Sequence, residues 1–236
     1  MKEVEEVFFF DPMYFLFALP ALLVMLYAQW RVQSAYSKYS RIRNMRGASG
    51  GEVARVLLQS AGLYDVRIEG TPAKLSDHYD PRHKVLRLSP EVYQVPSVAS
   101  MGIVAHEVGH AIQDAKGYAP MRLRGALIGP ANVGSTLGYI FFILGIVINA
   151  SGLVWLGVAA FSLAVLFALA TLPVELNASS RALVLLRNTG MVSVQELDGA
   201  NAVLQAAALT YVAALLQAVA NLMYYVFVAM GMRRDE

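Results

Sequence analysis

The sequence predicts a mainly α, four-helix transmembrane protein with a small α+β module on its cytoplasmic side. Three observations lead there. Four long runs, beginning near residues 13, 125, 153 and 206, are apolar and almost free of charge. Hydrophobic residues make up 57% of the chain and charged ones only 15%, against about a quarter in an ordinary soluble domain. Between residues 47 and 117 the pattern changes, and helical spacing, alternation and turn residues replace the apolar runs. Five segments follow in order: an N-terminal transmembrane anchor (1–30), a cytoplasmic module (31–124), a transmembrane helical hairpin (125–172), a second cytoplasmic segment (173–205), and a last transmembrane helix with its tail (206–236).

The anchor begins acidic, with Glu3, Glu5, Glu6 and Asp11, and then runs uncharged from Met13 to Trp30. That length reaches the lower end of a membrane span, and the acidic lead without a small-x-small site does not fit a cleaved signal. Arg31, Lys38, Arg41, Arg43 and Arg46 follow at once, which places the N-terminus outside and the next segment in the cytoplasm. On this topology 16 of the 19 Lys and Arg lie inside, all but Lys2, Arg233 and Arg234.

In the module, Glu52 to Ala61 has helical apolar spacing and stops at Gly62. Val66 to Glu69 alternates as a short strand, and Leu75 to Leu88 reads as a hairpin turning at Asp80-Pro81-Arg82. Ser89-Pro90-Glu91 opens a helical turn. Ser97 is an N-cap for a longer helix that ends near Lys116 and stops at Gly117. So small a module buries little by itself and must lean on the other helices. The two apolar runs after Arg122 and Arg124 turn at Asn149-Ala150-Ser151-Gly152, and their Gly, Ala and Ser content suits close helix packing in lipid. The net charge of +2, without a basic cluster, argues against nucleic acid as a partner. With no cysteine in the chain, any metal must be held by His and carboxylate.

The helix after Ser97 carries His106-Glu107-Val108-Gly109-His110. His-Glu-x-x-His puts two imidazoles one turn apart on one side of a helix, the geometry of two ligands on a catalytic zinc, with the Glu able to reach a bound water. Only four histidines occur in the chain, and two are here. No Asp, Glu or His occurs between Lys116 and Val174, and Gln113 and Lys116 stand where a metzincin needs Gly and a third His. The first downstream acid is Glu175, and the two intervening spans return it to the same face. A carboxylate at the inner end of a span is costly unless paired, so Glu175 is the candidate third ligand, with an interfacial pair to Arg181 as the competing reading. Leu197-Asp198-Gly199 offers another, a site-2-protease-like ligand at Asp198. However, Ser193-Val194-Gln195-Glu196 before it reads as a capping box. His78 and His83 are further candidates, with surface or structural roles the plainer reading.

On these residues the chain resembles the YugP-type bacterial membrane zinc metallopeptidases and, more distantly, HtpX and the CaaX prenyl proteases. The likeness covers nearly the whole chain and includes Phe8-Phe9-Phe10-Asp11-Pro12, Asp77-His78-Tyr79-Asp80-Pro81, His106 to Gln113, and Leu172 to Arg181. It implies a zincin-like module and a multi-pass protein of the bacterial inner (cell) membrane. HtpX-like enzymes follow the ligand Glu by four residues with an Asp that supports the zinc-bound imidazoles. Here that position is Ser179, so Asp77, Asp80 or water would have to orient the histidines.

The expected chemistry is that of a gluzincin endopeptidase with its site on the cytoplasmic face, cutting peptides or membrane proteins at the bilayer. His106, His110 and Glu175 bind one catalytic Zn²⁺, and Glu107 is the general base. Arg181, His78 and Tyr211 are candidates to stabilise the oxyanion, and the arm Lys84 to Leu88 either presents an edge for strand addition or is an ordinary sheet strand. The rivals are a non-catalytic zinc-binding membrane adaptor and a soluble peptidase with a buried apolar bundle.

Overall fold

The structure, a computed structural model, describes residues 12–73 and 76–232. The acidic N-terminus, Phe8 to Asp11 and the arginine-bearing tail lie outside the described residues. In order the elements are α1 (Pro12–Tyr39), α2 (Gly50–Ser60), β1 (Arg67–Gly70), β2 (His78–Asp80), β3 (Val85–Leu88), α3 (Pro90–Gln94), α4 (Val98–Ala115), α5 (Ala119–Val147), α6 (Ser151–Asn188) and α7 (Val194–Met232). The fold is mainly helical, and α1, α5, α6 and α7 are each long and apolar enough to cross a membrane. Every one of them is longer than its apolar run. In particular α6 continues through Pro173 and Glu175 to Asn188, so one unbroken helix carries both the apolar run and the candidate ligand.

The chain forms two compact units. The first holds the residues up to Tyr27, then Arg122–Leu172, then those from Thr210 onward. Its core gathers Phe142, Val154, Val158, Tyr225 and Ala229, with the Phe142 and Tyr225 rings stacked at 4.0 Å. Helices α5 and α6 cross so closely that a Cβ on Gly138 would sit 2.9 Å from the Gly157 carbonyl oxygen. Only small residues allow that approach. The hairpin turns at Asn149, whose φ of 52° is in the left-handed region Asn tolerates.

The second unit comprises Ala28–Met121 and Pro173–Leu209. Its three-stranded sheet has the order β1-β3-β2, with β3 parallel to β1 and antiparallel to β2, Tyr79 lying opposite Leu86. Of the two readings of Lys84 to Leu88, this decides for the ordinary sheet strand over the edge. Val85, Leu86 and Leu88 are fully buried, which is the environment of a central strand, so the free edges belong to β1 and β2. The β2–β3 turn is held by Asp80, whose Oδ1 accepts the backbone N–H groups of Arg82 and His83.

The helix signals at Ser97, Gly117 and Ser193 to Glu196 act as expected. Ser97 accepts the Ser100 N–H at the start of α4, and Gly117 leaves it at φ +60°. Ser49 and Glu52 form a capping box on α2, and Ser193 and Glu196 form one on α7. The unit's core joins Val53 and Leu57 of α2, Leu86 and Leu88 of β3, Met101, Val104 and Val108 of α4, Leu186 of α6 and Leu204 of α7. Burying such a side chain contributes about 1.5–3 kcal/mol. The α+β elements thus borrow the ends of α6 and α7 to complete a core they are too short to build alone.

Candidate metal centre

Helix α4 projects His106 and His110 from one side, their ring centroids 4.7 Å apart and nearly perpendicular. Glu175 of α6 faces both. Its Oε2 lies 3.2 Å from His106 Nε2 and 3.6 Å from His110 Nε2, and the Glu175 side chain is only 2% exposed. Among the described residues these three form the one group of His and acidic side chains able to hold a metal ion, their ligand atoms all within 4.8 Å of one another. Zinc bound tetrahedrally at about 2.0–2.2 Å needs donors roughly 3.3 Å apart, which the two spacings from Glu175 to the imidazoles match. The residues fit zinc.

Close approach of α6 to α4 makes this possible, and it depends on a glycine inside the motif. A Cβ on Gly109 would stand 2.5 Å from the Ala178 carbonyl oxygen, one turn beyond Glu175. Gly109 stands at one of the two unspecified positions of His-Glu-x-x-His. It is a point of close approach between the two helices that carry the candidate donors.

The outward ring nitrogens are also occupied. His106 Nδ1 is 3.1 Å from Ser179 Oγ, and His110 Nδ1 is 3.0 Å from Gln113 Oε1. Gln113 is fully buried, and its amide nitrogen donates to the Val174 carbonyl and to Asn177 Oδ1. The expected support from Asp77 or Asp80 is corrected here. Asp77 accepts from the Ser89 N–H and hydroxyl, while Asp80 pairs with His83 and Arg87. Both carboxylates stitch the hairpin in place of the histidines. The signal that could have found Gln113 was its position three residues after His110, on the same helical face.

Glu107 is buried beside the histidines. Its Oε2 accepts the Tyr79 N–H at 3.0 Å, and burial raises the carboxyl above its ordinary range against the pull of the His106 and His110 imidazoles. The same Tyr79 donates its phenol to Asp114 at 2.9 Å. Strand β2 is therefore tied to α4 at two points two turns apart, one of them the acid in the motif.

The remaining candidates lie elsewhere. His78 is exposed, with Nδ1 2.7 Å from the Ser76 carbonyl, and His83 pairs with Asp80. Arg181 donates from Nε to Asn177 and lies over the Tyr118 ring. Tyr211 belongs to the first unit. Asp198 is exposed in the capped first turns of α7 and is outside the metal-binding group. Its neighbour Glu196 is the buried acid there, used in the cap and by the Met45 N–H.

Comparison with known proteins agrees with this geometry. The model of a family described as "Putative neutral zinc metallopeptidase" matches residues 14–230. The chain is 41% identical over 225 residues to "Putative membrane protease YugP" of Bacillus subtilis (strain 168), covering 95% of this chain and 100% of that protein. No solved structure matches it. With a family model spanning nearly all of the chain and a donor set suited to the metal in that family's description, the chain belongs to the neutral zinc metallopeptidase family.

Proposed function

We propose that the chain is a membrane-bound zinc endopeptidase that hydrolyses peptide bonds of membrane or membrane-proximal proteins, with Glu107 as its general base. The observation that carries this reading is a buried acid of raised proton affinity placed beside a three-residue donor set. His106, His110 and Glu175 hold the ion. Zinc bound there supplies a Lewis acid for the scissile carbonyl and lowers the pKa of water to about 7. Glu107 does the proton work. The Tyr79 N–H engages Oε2, so Oε1 receives the proton of the attacking water and returns it to the leaving amine. Burial, which raises the carboxyl, strengthens it as a proton acceptor.

The named relative is a membrane protease, and four apolar helices would hold the peptidase beside substrates in the bilayer. The excess of Lys and Arg in residues 31–124 favours a cytoplasmic site. In a test, Glu107→Gln is purified in detergent, assayed for zinc, and compared with the parent on casein and on a membrane-protein substrate, with and without chelator. The variant should keep its zinc and lose about 10²–10⁴-fold in cleavage rate. Cleavage at the parental rate refutes the mechanism. A parent that binds zinc and cuts nothing returns the adaptor reading.

A further inference from the structure

We propose that Gln113 is a positioning residue that locks His110 as the Nδ1–H tautomer and so dedicates Nε2 to the metal, whereas Ser179 leaves His106 free to adapt. The inference rests on reading the centre as a zinc site. Its premises are the polarities of the hydrogen-bonding groups.

The Arg181 guanidinium can only donate, and its Nε lies 2.7 Å from Asn177 Oδ1. Turning the Asn177 amide over would set donor against donor, so Oδ1 faces Arg181. Gln113 Nε2 lies 3.0 Å from that same oxygen and 2.8 Å from the Val174 carbonyl, which also can only accept. Two acceptors therefore require the NH₂ end of Gln113 on that side, and one of them is backbone that cannot rotate. Oε1 is left pointing at His110 Nδ1, 3.0 Å away. An amide oxygen has no proton to give, so His110 must donate from Nδ1, and in the neutral ring that a metal binds the lone pair lies on Nε2, the nitrogen facing Glu175.

His106 has no such constraint. Its Nδ1 meets the Ser179 hydroxyl at 3.1 Å, and a hydroxyl rotates to donate or accept as required. The two partners also differ in access to water. Gln113 is 0% exposed, so water cannot replace a lost acceptor, whereas Ser179 is only half-buried. One histidine is thus set before the metal arrives, and the other settles around it.

The test uses full-length protein in detergent, with zinc(II) competed against a chelator of known affinity. Gln113→Leu should bind zinc about 10–100-fold more weakly, the usual cost of removing a partner that orients a ligand. Ser179→Ala should change affinity by no more than a few-fold. The four histidines of the chain also allow ¹⁵N-histidine NMR of the zinc-loaded protein, in which a merely structural role for Gln113 would move nothing at the ring. In the parent His110 should show zinc on Nε2 and a downfield, hydrogen-bonded Nδ1 proton, and in Gln113→Leu that proton resonance should move upfield. Zinc on His110 Nδ1 in the parent overturns the proposal without any variant. So does Gln113→Leu with parental affinity. A parent that binds no zinc removes the metal-site reading itself, and the proposal with it.

Discussion

Gly109→Ala is the sharpest perturbation of this centre, because it adds one methyl and touches no ligand. The new Cβ would lie 2.5 Å from the Ala178 carbonyl oxygen and 3.2 Å from Ala178 C and Cα, where real Cβ atoms essentially never approach within 3.0 Å. Both partners are backbone, so no rotamer change relieves the clash. Helix α6 must withdraw by at least about 0.5 Å, and Glu175, three residues before Ala178 on that helix, withdraws with it. Its oxygen now stands 3.2 and 3.6 Å from the two imidazoles, a spacing with little room to grow before one donor falls out of range of a shared ion. Overpacking of this kind costs about 1–3 kcal/mol. Borne by the closed site, that strain weakens zinc binding by about 5–150-fold. The sign is diagnostic, since Ala is otherwise favoured over Gly within a helix by about 1 kcal/mol. Gly125→Ala and Gly129→Ala, where an added Cβ meets nothing within 4 Å, should keep parental zinc affinity and unfold at the same or a higher temperature. The assay is chelator competition for zinc together with thermal unfolding in detergent. Parental affinity and parental Tm in Gly109→Ala would refute the close-packing argument.

Other outcomes follow from the same geometry. Glu175→Ala should lower the zinc content of the purified protein, as read by metal analysis, and unchanged stoichiometry would send the search for a third ligand to Asp198. The Asp80 carboxyl is held below its ordinary value of 3.8, first by the hydrogen bond from His83, then by those from Arg87 and the turn N–H groups. A depressed carboxyl stabilises the fold above the unfolded value and loses that contribution as the pH falls. Asp80→Asn should therefore lower Tm at neutral pH, and its gap from the parent should narrow on acidification below 3.8. A gap independent of pH would mean that the ionised carboxylate contributes nothing at that turn.

Much of this arrangement was legible residue by residue. Ser97 and Gly117 bound α4 because capping and left-handed exit are local events, decided within a few residues of chain. Asn149 and the Ser193–Glu196 box were readable for the same reason. The triad of His106, His110 and Glu175 was legible through an unusual absence, the acid-free gap, which left Glu175 as the first downstream acid. Strand order was not. Val85 to Leu88 is a short apolar run broken by Arg87, which fits an edge or a central strand, and only pairing with both β1 and β2 makes it central. Support of the histidines was misassigned to Asp77 and Asp80 because a carboxylate is the stronger acceptor. The fold spends both on the hairpin and brings a neutral amide to His110.

By itself, then, the sequence determined the four apolar helices and the motif helix with its caps, because each follows from spacing along one chain segment, and the acid-free gap singled out Glu175, which the fold groups with His106 and His110. Tertiary structure decided what no spacing encodes. It set how near α6 comes to α4, which depends on the missing Cβ of Gly109 meeting backbone 69 residues away at Ala178. It also settled which way a buried amide points, since Gln113 takes its orientation from acceptors that another helix supplies.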